Sequence, residues 1–278
     1  MKLINFIKRA VRYIRNGAPE LVVMPTIACL SPSEKLKSKR IVITGGARGL
    51  GYAMAKKFIA EGASVLISGR NVDNLRMVSK ELGCKWLALD VQNVANFAEF
   101  ISESSRLLGG IDCLVNNAGI SLHEGNIRNV TREQFEAQVS TNLKGPYFLA
   151  QAFLEYCESN KIQNTQILFV SSERGIYVDD LPYGLTKTAI NSLVQGLANR
   201  VIGSGMRVNA IAPGVTASEM TGFDPNGNLY CPYNITGRAY LPEEVAEVAC
   251  FLLSDVSACL SGQVLVCNEG KSINSHWR

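Results

Sequence analysis

The stretch R-I-V-I-T-G-G-A-R-G-L-G, residues 40–51, decides how this chain is read. Ile41, Val42 and Ile43 form a continuous apolar run, the mark of a strand buried on both faces. Glycines follow at 45, 49 and 51, and a segment with helical spacing, 51–61, comes next. Strand, glycine loop and helix in that order can cradle a phosphate. Glycine permits the tight turn and the close backbone approach, and the helix N-terminus offers free N–H groups and a positive dipole. The spacing here is T-G-x-x-x-G-x-G rather than G-x-G-x-x-G.

Outward from this stretch the pattern alternates. Short β-rich runs stand at 40–44, 63–68, 85–89, 111–115, 166–171, 206–211 and 263–267. Segments such as 51–61, 72–82, 131–157, 184–202 and 243–254 have helical spacing. Apolar strands alternating with helices predict an α/β fold: a Rossmann-like doubly wound parallel sheet of about seven strands, with helices on both faces. The 278 residues suit one such domain, expected over 38–278, behind a leader at 1–37. The stretch 214–240, rich in Gly, Pro and Asn, has no periodic pattern, and loops of that length are often lids.

Charge is uneven along the chain. Residues 1–40 carry nine Lys/Arg against two Glu, and the remainder carries 19 Lys/Arg against 22 Asp/Glu. The main domain is mildly acidic, which argues against a nucleic-acid partner. Eight scattered cysteines form no C-x-x-C pair and read as reduced residues of a cytoplasmic protein. With only His123 and His276, a His-based zinc site or a His-Asp triad is not expected. In residues 1–16, Leu3, Ile4, Phe6, Ile7, Ala10, Val11 and Ile14 share one helical face and Lys2, Lys8, Arg9, Arg12 and Arg15 the other. The segment is neither a secretory signal nor a membrane span. It can lie peripherally on an anionic membrane, pack on the main domain's own surface, or pack on a partner subunit.

The ordered motifs resemble the short-chain dehydrogenase/reductase family over about residues 38–272. After the glycine loop come L-D-V at 89–91, N-N-A-G at 116–119, T-N-L-K-G around Asn142, V-S-S-E-R-G with Ser171 and Ser172, Y-G-L-T-K with Tyr183 and Lys187, and V-N-A-I-A-P-G at 208–214. G-R-A-Y-L-P-E-E-V-A (237–246) and S-G-Q-V-L-V-C-N-E-G (261–270) match the family's C-terminal signatures. The resemblance implies an oxidoreductase that interconverts a ketone and a secondary alcohol by hydride transfer. Its implied catalytic set is Asn142, Ser172, Tyr183 and Lys187. Ser172 is chosen over Ser171 because two residues and a glycine follow it.

Tyr183 and Lys187 lie four apart and project from one helical face. A free tyrosine titrates near 10, and a neighbouring ammonium is expected to favour the phenolate for acid–base work. The family further implies that Lys187 holds the nicotinamide ribose, and that Asn142 carries a water relaying the proton. The implied cofactor residues are Gly45, Arg48, Gly49, Leu50, Gly51, Arg70, Asp90, Val91, Asn117, Ala118, Gly119, Tyr183, Lys187, Pro213, Gly214, Val215 and Ser218. NAD-preferring relatives usually end the second strand with an acidic residue. Here Gly69 stands there, followed by Arg70, and Arg48 lies in the glycine loop. Two arginines suit a 2′-phosphate, so NADP(H) is the expected cofactor and NAD(H) the alternative.

The chain also departs from the family. Ser172 and Tyr183 are 11 residues apart, about two fewer than usual there, and the shortened loop holds Asp179 and Asp180. These carboxylates either disfavour anionic substrates or are simply solvated. Asn268 and Glu269 stand where relatives have Asp-Gly-Gly, with a role at an oligomer contact in view. His123 is either surface or substrate-facing. A homo-oligomer, dimer or tetramer, is expected. The rival reading is a catalytically idle Rossmann-fold scaffold tethered by its leader, which would not need all four catalytic residues.

Overall fold

The structure, a computed structural model, describes residues 34–273. The amphipathic segment 1–16 therefore lies outside the described residues. Seven parallel strands form one sheet in the order β3-β2-β1-β4-β5-β6-β7. They are β1 (Arg40–Thr44), β2 (Ser64–Gly69), β3 (Lys85–Ala88), β4 (Cys113–Asn116), β5 (Gln166–Val170), β6 (Arg207–Pro213) and β7 (Val264–Cys267). The helices are α1 (Gly49–Ala60), α2 (Val72–Leu82), α3 (Phe97–Leu108), α4 (Arg132–Val139), α5 (Gly145–Ser159), α6 (Pro182–Arg200) and α7 (Pro242–Leu253).

The central strands split one sequence between two cores. Ile41 and Ile43 of β1 face a layer built with Phe58 of α1, Leu75 of α2 and Val245 of α7. Val42 between them faces Phe100 of α3, Phe153 of α5 and Val194 of α6. All three β1 residues are fully buried, which is why the run shows no polar alternation. Leu36, ahead of the expected boundary at 38, is also fully buried in the first core, and its N–H donates to Glu61 O at 3.0 Å.

Two segments differ from their periodicity. The stretch 131–157 is not one helix. A π turn at Ser140–Lys144 separates α4 from α5, and Gly145 follows it. A Cβ on Gly145 would fall 2.4 Å from Val91 O, so the turn lets α5 approach the end of β3 closely. The stretch 214–240 is irregular yet packed, with Ala217, Leu229, Cys231 and Ala239 in a small core of their own. Thr216 also bridges Tyr240 in parallel.

The strand order reverses direction between β1 and β4. In a doubly wound sheet that reversal opens a crevice beyond the carboxyl ends of the strands. The glycine loop, Asn117, Ser172 and Gly214 all follow strands that end there.

Candidate active site

A cleft of about 1500 Å³ occupies the crevice. Its first wall is the glycine loop. Thr44 ends β1 with its hydroxyl accepting from the N–H groups of Asn117 (3.0 Å) and Ala118 (3.1 Å). Asn117 Nδ2 returns the tie by donating to Thr44 O (2.9 Å) and Gly45 O (3.0 Å). The loop and the N-N-A-G segment are thus one hydrogen-bonded unit. A Cβ at Gly51 would lie 2.1 Å from Gly45 O, so only glycine allows this closure. The helix α1 starts at Gly49 with no side-chain cap from Arg48, which leaves its first N–H groups to an anion. The tight glycines, the uncapped helix and the open crevice fit a dinucleotide pyrophosphate.

At the other end of the cleft stand Ser172, Tyr183 and Lys187. Ser172 caps the turn Glu173–Gly175, its Oγ accepting from Arg174 N at 3.2 Å, so its own proton is free to donate. Lys187 is 4% exposed and its Nζ donates to Val170 O at 2.8 Å, 5.6 Å from the centroid of the Tyr183 ring. Burial lowers the Lys187 ammonium to about 8. Tyr183 is pushed above its ordinary value by burial, partly offset by its hydrogen bond with Ser172 and the nearby Arg174 charge. The expected lowering by Lys187 is therefore not what this geometry produces. Desolvation of the phenol outweighs the positive charges near it.

With the glycine loop, the N-N-A-G tie and the Ser-Tyr-Lys cluster in one crevice, the comparisons with known proteins become informative. A family model described as enoyl-(acyl carrier protein) reductase matches residues 45–272. The chain belongs to the short-chain dehydrogenase/reductase family. It is 36% identical over 247 residues to an uncharacterized oxidoreductase of Mycobacterium bovis, spanning 86% of this chain and 98% of that protein. It is 34% identical to the 3-oxoacyl-[acyl-carrier-protein] reductase of Thermotoga maritima, spanning 85% of this chain and 98% of that one. The crystal structure of 3-ketoacyl-(acyl-carrier-protein) reductase from Brucella melitensis complexed with NADH matches with a TM-score of 0.77 at 30% identity, covering 86% of this chain and 100% of that one.

In this short-chain dehydrogenase/reductase the cleft brings together all the expected cofactor residues: Gly45, Arg48, Gly49, Leu50, Gly51, Arg70, Asp90, Val91, Asn117, Ala118, Gly119, Pro213, Gly214, Val215 and Ser218 line it, with Tyr183 and Lys187. Asn142 does not line it. It is 1% exposed in the π turn, its Oδ1 accepting from Ile120 N (2.9 Å) and its Nδ2 donating to Ile120 O (2.8 Å). Its side chain thus fixes the backbone beside Gly119. The two serines separate cleanly. Ser171 spends its hydroxyl on Asn191 Oδ1 at 2.6 Å, whereas Ser172 meets the Tyr183 hydroxyl.

Other expectations shift. Arg48 pairs with Glu219 at 2.6 Å across the cleft, both exposed, while Arg70 is exposed with no ion pair among the described residues. Asp179 is not solvated. Its side chain is 5% exposed and pairs with Arg174 at 2.5 Å. Asn268 points inward rather than to an oligomer contact, its Nδ2 donating to Glu173 Oε2 at 3.2 Å. Glu269 accepts from the Tyr240 hydroxyl at 3.3 Å. His123 is exposed, lines the cleft and takes a φ of 55°, in the left-handed region. Glu173, Arg174, Glu219 and Met220 also line the cleft. Glu173 and Arg174 lie within V-S-S-E-R-G, where their types carry no family role, and Glu219 and Met220 lie outside every motif, brought there by loop closure rather than local spacing.

Proposed function

We propose that this oxidoreductase interconverts a ketone and a secondary alcohol with NADP(H). The observation that carries the reading is the junction of Tyr183, Ser172 and Lys187 at one end of a cleft whose other end is the glycine loop. The nicotinamide cofactor, when bound, supplies or accepts the hydride. Ser172, whose hydroxyl meets that of Tyr183, donates to the substrate oxygen once it enters between them and fixes it beside Tyr183. Tyr183 gives its proton to that oxygen in reduction and takes one back in oxidation. Its raised pKa keeps the proton on the phenol at neutral pH, which favours reduction there and oxidation at higher pH. Lys187 meets the ribose and is cationic below about 8. Asn142 holds the Ile120 backbone that borders the nicotinamide pocket.

Arg70 is the stronger support for a 2′-phosphate, since Arg48 already faces Glu219. NAD(H) is the alternative, supported by the NADH bound to the Brucella melitensis relative. A homo-oligomer is part of the reading, because Tyr147 and Phe148 of α5 and Leu185 of α6 expose apolar surface; light scattering reports it. Among the described residues no helix is long and apolar enough to cross a membrane. Peripheral attachment through residues 1–16 rests on the sequence alone, and sedimentation with anionic vesicles tests it.

The deciding experiment screens carbonyl compounds for NADPH oxidation, with Tyr183→Phe as the control. The variant is expected to lose at least about a hundredfold in turnover, as for a positioned acid–base group, while keeping its affinity for NADPH. Wild-type turnover in the variant would place the proton donor elsewhere. Fluorescence titration with both cofactors checks the preference, and an NADH preference would reverse that assignment.

A further inference from the structure

The loop between β5 and α6 buries a carboxylate beneath a guanidinium. Asp179 Oδ2 receives Nε and Nη2 of Arg174, each at 2.5 Å, and its Oδ1 receives Leu181 N at 3.1 Å. A Cβ at Gly184 would lie 1.9 Å from Asp179 Oδ2, so the carboxylate is seated against the first turn of α6, beside Tyr183. Exposure differs sharply across the pair, 5% for the Asp179 side chain and 43% for Arg174. From the cleft, the visible charge is the cation.

The other carboxylates lining this end already have partners. Glu173 is paired with Lys271 at 2.8 Å and Glu219 with Arg48 at 2.6 Å. Leu122 and Met220, both exposed, line the same cleft as apolar contacts. A substrate oxygen held by Ser172 and Tyr183 would therefore have Arg174 and apolar side chains as neighbours. Of the five N–H donors of a guanidinium, Asp179 engages two, on Nε and Nη2, which leaves three, both of those on Nη1 among them. Because Asp179 fixes the fork, little side-chain entropy is lost when a second anion binds.

We propose that Arg174 is a specificity-determining residue that receives the carboxylate of an anionic substrate, so that the enzyme acts on oxo acids and the matching hydroxy acids. This rests on the ketone–alcohol reading above. It reverses the sense in which the loop's acidic residues would act: Asp179 orients the cation that attracts an anion.

The test uses the full chain and a ladder of 2-, 4- and 5-oxo acids, each against its methyl ester, with NADPH. For at least one chain length the acid should exceed its ester in kcat/KM by about tenfold or more, the scale of a charge-assisted hydrogen bond. Arg174→Gln should collapse that ratio toward one, chiefly through KM on the acid, and Arg174→Lys should restore part of it. Since Arg174→Gln strands the buried Asp179, the double variant Arg174→Gln/Asp179→Asn is measured as well and should show the same collapse. Calorimetric titration of the NADPH-loaded protein with pentanoate and pentanamide separates this proposal from the reading beneath it. Preferred pentanoate binding that Arg174→Gln abolishes, with no carbonyl compound reduced, keeps the anion site and sinks the ketone–alcohol reading. Esters reduced as well as acids, or a ratio unchanged in both variants, overturns the anion site and leaves the oxidoreductase. Equal binding of pentanoate and pentanamide also overturns it.

Discussion

Lys187 sits in the site at a cost. It is 4% exposed, and burial is the cause that lowers it from 10.5 to about 8. The unfolded chain binds more protons than the native one between those values, so the penalty is complete below about pH 8 and fades as the pH rises toward 10.5. At about 1.4 kcal/mol per pKa unit the penalty is about 3 kcal/mol, less about 1 kcal/mol for the hydrogen bond to Val170 O. Lys187→Met should thus make the cofactor-free protein more stable by about 2 kcal/mol near neutral pH. Urea unfolding of both proteins at neutral pH and near pH 10 checks it, and an advantage that is absent or does not narrow at high pH contradicts the account. Such a trade is typical of a group retained for chemistry. At this scale the sequence was most legible where neighbours are local. Tyr183, Lys187 and Ser172 stand within one loop and one helix turn, and their order behind the glycine loop, with the family resemblance it carries, pointed to acid–base work. The Arg174 pair with Asp179 needed a folded loop, and the rise in the Tyr183 pKa needed its burial, which no spacing encodes.

Helix α1 and its loop show what an element demands of a single atom. A Cβ at Gly51 meets Gly45 O at 2.1 Å and Asn117 Nδ2 at 2.6 Å, so Gly51→Ala must push the helix start away from β1. Overpacking of this kind costs about 1–3 kcal/mol. The shift also breaks the Asn117 ties to Thr44 and Gly45, and NADPH affinity should fall by tenfold or more, on the order of one lost hydrogen bond to a charged group. Gly196 within α6 is the counterpart, with nothing within 4 Å of its added Cβ. Gly196→Ala should stabilise by about 0.5–1 kcal/mol and leave NADPH binding alone. Thermal unfolding and fluorescence titration compare the two, and similar behaviour would mean that steric closure is not what holds the loop. Strands were read well because each is a short apolar run walled by polar turns. The segment 131–157 was read less well, since its apolar spacing continues through the π turn that aims Asn142 inward, and a one-residue change of backbone period leaves almost no mark on composition.

Across the whole molecule, the segment after β7 reaches back to the turn that carries Ser172. Lys271, just after β7, pairs with Glu173 at 2.8 Å, and Asn268 Nδ2 adds a bond to Glu173 at 3.2 Å. Glu173 directly follows Ser172, and a Cβ on Gly214 would lie 3.2 Å from Glu173 Oε2. One buried carboxylate thus ties the end of the chain to the turn carrying Ser172, next to the segment after β6. The C-N-E-G signature was visible in the sequence, but its partner lies 95 residues earlier and appears only when β5, β6 and β7 stand side by side. Lys271→Met keeps the bulk and removes the charge, leaving Glu173 buried with weaker partners. Stability should fall by about 1–3 kcal/mol, the cost of an under-satisfied buried group. Displacement of the Ser172 turn should also lower kcat, by up to about a hundredfold for a shift of about 1 Å, with KM less affected. Lys271→Arg retains the donor and should recover most of the turnover. The kcat-against-KM split, measured well below the melting temperature, distinguishes positioning from simple loss of fold. If Lys271→Met loses stability but keeps its kcat, the tie holds the sheet edge together and does not set the serine.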